Sequence, residues 1–254
     1  GVGRFLLSER TGRDSGAESP SSEILLPEPE NEEELSINIT DYVKHISRSE
    51  IINGEKQEIN ILEINLSSPM VRIRPVLSHD LIYGFEKLSI MAERKKAYAA
   101  VNGGFFHQYG LPSGMVVING EIISASTGKY PVFIVENGKA QLKEIESRLE
   151  IEYWRNDGTA DGGKINVDLL NFPASGKETA VYTPVYGIYN RAKKKNVTVK
   201  VENGTVTDIS FHSGEAEIPE NGMLITFFDS EKYAGKDMPL KVGDSVKLNH
   251  EPYT

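Results

Sequence analysis

Met115-Val-Val-Ile-Asn-Gly-Glu-Ile-Ile123 places two apolar runs on either side of an Asn-Gly pair. Both residues of that dipeptide tolerate the positive φ that a two-residue type I′ turn demands, so the stretch predicts a β-hairpin. The same signal returns in Val132-Phe-Ile-Val-Glu-Asn-Gly-Lys-Ala-Gln-Leu142 and around Asn203-Gly204, between Val197 and Ile209. Three such hairpins in one chain predict a sheet that is mostly antiparallel. Period-two alternation adds strands over 58–66, 70–77, 149–154, 165–170 and 242–248, with a turn dipeptide at Asn53-Gly54 before the first of them. Further strands are expected over 179–186, broken by Pro184, and over the apolar run 222–228. One segment, 85–96, reads as a helix, with Phe85, Leu88, Ile90, Met91 and Ala92 near helical spacing and a cationic end that suits the negative pole of the helix dipole. The expected fold class is α+β: mostly antiparallel β-sheet with hairpins and at least one packed helix.

Upstream of the first hairpin lies Tyr98-Ala-Ala-Val-Asn-Gly-Gly-Phe-Phe-His-Gln-Tyr109, running into Gly110-Leu-Pro-Ser-Gly114. Residues 98–101 read as a short buried strand, and the Asn and two glycines behind them as a sharp turn at positive φ. A strand ending there presents Asn102, His107 and unpaired backbone N–H groups beside two phenyl rings, the usual makings of a small-ligand site. The plainer alternative is a tight turn at Gly103 and Gly104 with Phe105 and Phe106 in the core. Histidine titrates near neutrality, so His107 suits a general acid or base; a loop histidine bonded to a backbone carbonyl is the other reading. The helix over 85–96 feeds directly into this stretch and is expected to pack beneath it as support.

Asn102-Gly103-Gly104-Phe105-Phe106, with Pro112-x-Gly114 and the Val-Val-Ile-Asn-Gly hairpin behind it, resembles the first signature of the phosphodiester glycosidase family. Its mammalian member is the mannose-6-phosphate uncovering enzyme, and its bacterial relatives are often labelled exopolysaccharide biosynthesis proteins. The likeness runs loosely from residue 59 to the C-terminus and includes Ala180-Val-Tyr-Thr-Pro-Val-Tyr-Gly187 and Leu240-Lys-Val-Gly-Asp-Ser-Val246. It implies a hydrolase that cleaves a sugar-1-phosphodiester, with Asn102 and His107 catalytic and Gly103, Gly104, Phe105, Phe106 and Gly114 holding substrate. It also implies an extracellular or cell-envelope location and a sugar-phosphodiester or polysaccharide as partner. The family's second signature, an Asp-Gly-Gly-Gly-Ser-type loop with an upstream arginine segment, does not occur in these residues. The carboxylate it carries is therefore expected from a C-terminal half of the domain that this chain lacks. A carbohydrate-binding module that keeps the loop without hydrolysis is the alternative, and a structural surface protein a third.

Composition narrows the partners. A net charge of -9 among 254 residues, with a pI near 5.2, argues against nucleic acid or an anionic membrane, because like charges repel at long range. The absence of cysteine excludes disulfides, thiolate metal sites and a cysteine nucleophile. No apolar run is long enough for a transmembrane segment. Residues 1–35 are expected to form a flexible acidic arm, because the Ser, Glu, Pro and Gly of 8–35 bury too little to offset their ordering entropy. Residues 36–254 are expected to form the phosphodiester glycosidase-like domain.

Asp157-Gly-Thr-Ala-Asp161-Gly, with Asp168 further on, nearly meets the spacing of a calcium loop, in which oxygen ligands alternate and a glycine makes the bend. Asp157, Asp161 and Asp168 are thus candidate ligands for Ca2+. The flanks read as strands rather than as the helices of an EF-hand, which leaves an ordinary long turn as the competing reading. The five histidines show no metal-ligand spacing, and no Gly-x-Ser-x-Gly elbow or phosphate loop occurs.

Overall fold

The structure is a computed structural model that describes residues 2–8, 35–159, 161–235 and 237–253. These residues fall into two compact units. One holds those up to Ile73 together with Ile134–Gln141; the other holds Arg74–Phe133 and the residues from Leu142 onward. The stretch expected to form one domain, 36–254, is thus distributed over both.

In the first unit β1 (Val2–Ser8), β2 (Leu35–Thr40), β3 (Val43–Ile52) and β4 (Glu55–Asn65) make an antiparallel sheet in the order β1-β4-β3-β2. Asn53 and Gly54 turn β3 into β4 with φ of 53° and 80°, the conformation their side chains permit at least cost. Because side chains alternate along a strand, Ile59 and Ile61 share a face with Ile46, which lies opposite Ile61, and the three form a small core. On the other face His45 Nε2 lies 2.9 Å from Asn60 Oδ1. The arm expected over 1–35 includes strand β1, so that expectation fails over Val2–Ser8; the remainder, 9–34, lies outside the described residues. The strand expected over 70–77 does not form: Met70 and Ile73 are exposed and the segment has no regular structure and no strand partner among the described residues.

A nine-stranded sheet supplies most of the second unit, with Ile134–Gln141, around one of its hairpin turns, counted in the first. Its members are β7 (Thr127–Glu136), β8 (Lys139–Trp154), β9 (Gly162–Val167), β10 (Leu169–Leu170), β11 (Thr179–Tyr182), β12 (Asn196–Glu202), β13 (Thr205–His212), β14 (Gly222–Phe227) and β15 (Ser245–Tyr253). They run in the order β10-β11-β14-β12-β13-β15-β8-β7, with β9 added to β8. A separate hairpin joins β5 (Val116–Ile118) and β6 (Glu121–Ser124). Asn119-Gly120, Asn137-Gly138 and Asn203-Gly204 all carry positive φ at both residues, so each expected hairpin turn is present. Pro184, which has no N–H for the ladder, stands where β11 has ended and a short 3-10 turn begins.

Alternation on the central strands divides the interior in two. Met223, Ile225 and Phe227 of β14 join Val181 of β11 and Val197, Val199 and Val201 of β12 in one cluster. Leu224 and Phe228 turn the other way and join Ala180, Tyr182, Tyr186, Ile82 and Ile218. A strand covered on both faces reads as a nearly continuous apolar run, as 222–228 does but for Thr226, whose hydroxyl accepts from Asn190.

The fold is largely β. Two short helices occur among the described residues, α1 (Leu88–Arg94) and α2 (Ser230–Tyr233). The helix expected over 85–96 is limited to α1, seven residues of which none is buried. Burial of one face supplies most of a helix's stability in a protein, so a helix without it stays short. Side-chain ties hold α1 instead: the Arg94 guanidinium bridges Asp80 at 2.6 Å and Glu86 at 2.8 Å and donates to the carbonyl of Leu77.

Candidate functional site

Residues 98–101, expected as a buried strand, have no regular structure, and Tyr98 is 77% exposed. The apolar run is too short, and too close to the α1 turn, to find a ladder partner. Beyond it the chain forms a surface loop closed on itself. Phe106 and Pro112 form an isolated antiparallel bridge, the His107 N–H donates to the Leu111 carbonyl at 2.7 Å, and the Ser113 N–H donates to the Phe105 carbonyl at 2.9 Å. Leu111 is buried beneath as the anchor.

The sharp turn of this loop is not where the glycines predicted it. Gly103 and Gly104 do not adopt positive φ; Tyr109 and Gly110 do, at 66° and 93°. A Cβ on Gly110 would overlap the carbonyl oxygen of Gly84, whereas Gly103, Gly104 and Gly114 face open space. Gly84 in turn donates its N–H to the Tyr109 carbonyl at 2.8 Å, so the two segments are tied at that crossing. The positional demand for glycine therefore lies at Gly110, which carries no signal in the sequence beyond that of an ordinary loop residue.

The candidate residues are brought to one surface. Asn102, Gly103, Gly104, Phe105, Phe106 and His107 are all exposed, and the side chain of Asn102 has no hydrogen bond to a described residue. Phe105 and Phe106 are 77% and 62% exposed, which overturns their reading as core. Each leans on one neighbouring ring: Phe106 on Phe85, centroids 5.9 Å apart, and Phe105 on Tyr130, also 5.9 Å. Gly114 is set back from this surface, its carbonyl accepting the Ser124 hydroxyl at 2.6 Å.

His107 faces another way. Its ring stands edge-on to Phe172 with centroids 5.3 Å apart. Phe172 precedes a cavity of about 300 Å³ lined by Pro173, Tyr182, Asn190, Arg191, Lys194 and Phe228 among others. The apolar walls expected around Asn102 are thus absent, and the concave space lies beyond His107, at residues outside every motif of the sequence. Their sequence signal was the run Arg191-Ala-Lys-Lys-Lys195, dense in cations for an acidic chain.

Tyr182 lines this cavity and belongs to a group of three tyrosines. Tyr83 donates its hydroxyl to that of Tyr186 at 2.9 Å, the Tyr182 and Tyr186 rings are 4.6 Å apart, and the Tyr182 hydroxyl donates to the Phe172 carbonyl at 3.2 Å. Burial pushes all three phenol pKa values up, so they stand at neutral pH as protonated donors and not as bases. The Arg191 guanidinium lies 4.1 Å from the centre of the Tyr83 ring.

The calcium-loop residues are not gathered. Asp157 Oδ1 accepts the N–H and the hydroxyl of Thr159, at 3.0 and 2.6 Å, and these bonds hold its carboxyl below the usual range. Asp161 accepts the N–H of Gly162, and Asp168, beyond the far end of β9, accepts the N–H of Thr179 at 2.7 Å. Among the described residues no three metal-ligating side chains come together. The stretch forms the connection between two paired strands, and those strands carry Asp157 and Asp168 to opposite ends of β9.

No family model matches the chain, and no curated protein matches it. Solved structures do. A hypothetical protein from Synechocystis superposes with a TM-score of 0.70 at 22% identity, covering 87% of this chain and 41% of that one. A protein from Burkholderia pseudomallei K96243 labelled "Putative exported protein" superposes with a TM-score of 0.58 at 19% identity, covering 83% of this chain and 46% of that one. The shared property is the fold, and the chain spans less than half the length of either structure. No helix of the described residues is long and apolar enough to cross a membrane.

Proposed function

We propose that the chain carries part of the active site of a sugar-1-phosphodiester hydrolase, a phosphodiester glycosidase, with the 102–107 loop as its substrate-contacting segment. The observation that carries this reading is that Asn102, Gly103, Gly104 and His107 are all exposed, the first three just before the loop that closes between Phe105 and Ser113 and His107 within it. In the reaction, water adds to the anomeric carbon, the C1–O bond breaks, and the phosphate leaves as a monoester. The backbone N–H groups and Asn102 donate to oxygens as charge develops on them, and His107 moves the proton. A carboxylate from the second signature of the family, on a further segment, completes the site. The α+β reading belongs to this proposal as well, with α1 held to residues 77–86 by the Arg94 ties rather than through a buried face. An extracellular or envelope location accords with the label of the Burkholderia structure. The test is release of free sugar from an alkyl sugar-1-phosphodiester by the chain joined to the segment that bears the second signature. No release by the wild type, or equal release by wild type and Asn102→Ala, defeats the proposal.

The second reading, a carbohydrate-binding module without turnover, is favoured by one observation: Phe105, Phe106 and Tyr109 expose more than half their surface on a single loop. Aromatic faces on a rigid support are good platforms for the apolar faces of sugar rings. Glycan binding that survives where no hydrolysis occurs, and that falls on Phe105→Ala, selects it.

A further inference from the structure

The residues that line the cavity beside Phe172 include Arg191, Lys193 and Lys194 and no Asp or Glu. Nearby lysines behave differently: Lys177 pairs with Asp229 and Lys200 with Glu202. In a chain with 37 acidic and 28 basic residues, three cationic residues around one open cavity are not the default outcome of neutralising a surface. Glu178, which is bonded to the lining residue Ser175, already accepts from the Ser175 N–H, the Ser175 hydroxyl and the Gly176 N–H.

Arg191 is held there at a cost. It lies in the left-handed backbone region, φ 54°, which a non-glycine residue with a long side chain seldom adopts. Asn190, almost wholly buried, fixes that turn. Its Oδ1 accepts the N–H groups of Ala216 at 2.9 Å and Ala192 at 3.3 Å, and its amide donates to Thr226 Oγ1. Strain of this kind persists where the surroundings over-determine it and gathers at ligand sites. The Tyr83 ring supports one face of the guanidinium, leaving its N–H edge unclaimed by any carboxylate of the described residues. Lys194 is positioned too, donating to the Gly176 carbonyl over the Phe228 ring.

We propose that this cavity is an oxyanion site that takes the phosphate group of a small molecule, with Arg191 as the principal donor and Lys193 and Lys194 as neutralising charges. A planar guanidinium with a free edge matches the geometry of two phosphate oxygens, and neighbouring ammonium groups supply the remaining charge. The inference stands on the cavity alone. Absence of phosphodiester turnover leaves it intact, and failure to bind phosphate leaves the hydrolytic reading to its own assay.

Calorimetric titration of the full chain with inorganic phosphate, a hexose 1-phosphate and the neutral hexose tests it, at low and high salt. Both phosphates are expected to bind, more weakly as salt rises, and the neutral hexose not to. Tighter binding of the ester than of the free ion identifies a sugar phosphate as the ligand; equal affinity identifies inorganic phosphate. Arg191→Gln is expected to weaken binding about tenfold or more, as loss of a charge-assisted bidentate contact does. Arg191→Gly, which relieves the backbone strain and keeps the fold, is expected to weaken it equally. Wild-type protein that binds neither phosphate, or binds the neutral hexose as well as its phosphate, overturns the proposal. So does Arg191→Gly protein that binds phosphate within twofold of the wild type.

Discussion

The imidazole of His107 stands edge-on to the ring of Phe172, their centroids 5.3 Å apart and their planes at 76°. The contact joins the far end of the exposed loop to the segment that opens the cationic cavity. Such a pair adds about 0.5–1.5 kcal/mol beyond the area it covers, so replacing the histidine costs the fold little. His107→Ala is expected to lower stability by about 1 kcal/mol in chemical denaturation. In the sugar-phosphodiester assay the same variant is expected to lose on the order of a hundredfold or more in rate, the usual contribution of a positioned acid or base. A fall in stability with no change in rate would reduce His107 to a packing residue.

A different pair secures the connection between β8 and β9. Arg155 and Asp244 form an ion pair whose side chains are 10% and 4% exposed, and Asp244 also accepts the Lys241 N–H at 2.7 Å. Removing one member leaves the other charge with few alternatives in a poorly solvated place. Asp244→Ala is expected to cost about 3–5 kcal/mol in urea denaturation, with Asp244→Asn less damaging because it keeps an acceptor. Loss below about 1 kcal/mol for Asp244→Ala would mean that water reaches Arg155 freely.

Acid should loosen the ties around α1. Donation from the Arg94 guanidinium, and then from the backbone N–H of His79, lowers the Glu86 pKa to about 2 from an ordinary value of 4.5. A carboxyl whose folded pKa lies below its unfolded one contributes stability in full above the unfolded value. That contribution disappears as pH falls toward the folded one. The melting temperature of the wild type is therefore expected to drop between pH 4.5 and 2 more steeply than that of Glu86→Gln, which forgoes the contribution at every pH. Parallel curves for the two proteins would refute the assignment.

The glycines of the loop offer a contrast. At φ 93°, with the Gly84 carbonyl against the place a Cβ would occupy, Gly110→Ala is expected to cost about 1–3 kcal/mol and to loosen the loop. Gly103→Ala, on ordinary φ and facing open space, is expected to change stability by less than about 0.5 kcal/mol. Thermal unfolding of the two variants side by side checks the pair. A larger loss at Gly103 than at Gly110 would reverse the reading.

The candidate site was half legible. Asn102 and His107 are both exposed and the motif that flagged them is local in sequence, while the His107 ring turns to Phe172. Arg191, Tyr83 and Asn190 were not legible, because the strain at Arg191 exists only through hydrogen bonds from Asn190 to residues 26 and 36 positions away. The acidic loop failed for a related reason: ligand spacing was read along the chain, whereas strand pairing of β8 with β9 decides where each carboxylate goes.

By itself the amino-acid sequence determined the hairpins. Each Asn-Gly pair prefers positive φ at both residues whatever surrounds it, and the alternation beside it fixes which side chains share a face. Tertiary structure alone decided what became of the short apolar stretches. Residues 222–227 found partners on both edges and cover on both faces, while 70–77 and 98–101, which also carry strand-forming apolar residues, found none among the described residues. A strand is completed by neighbours far away in sequence, so its own residues state a capacity to pair, and the rest of the fold supplies or withholds the partner.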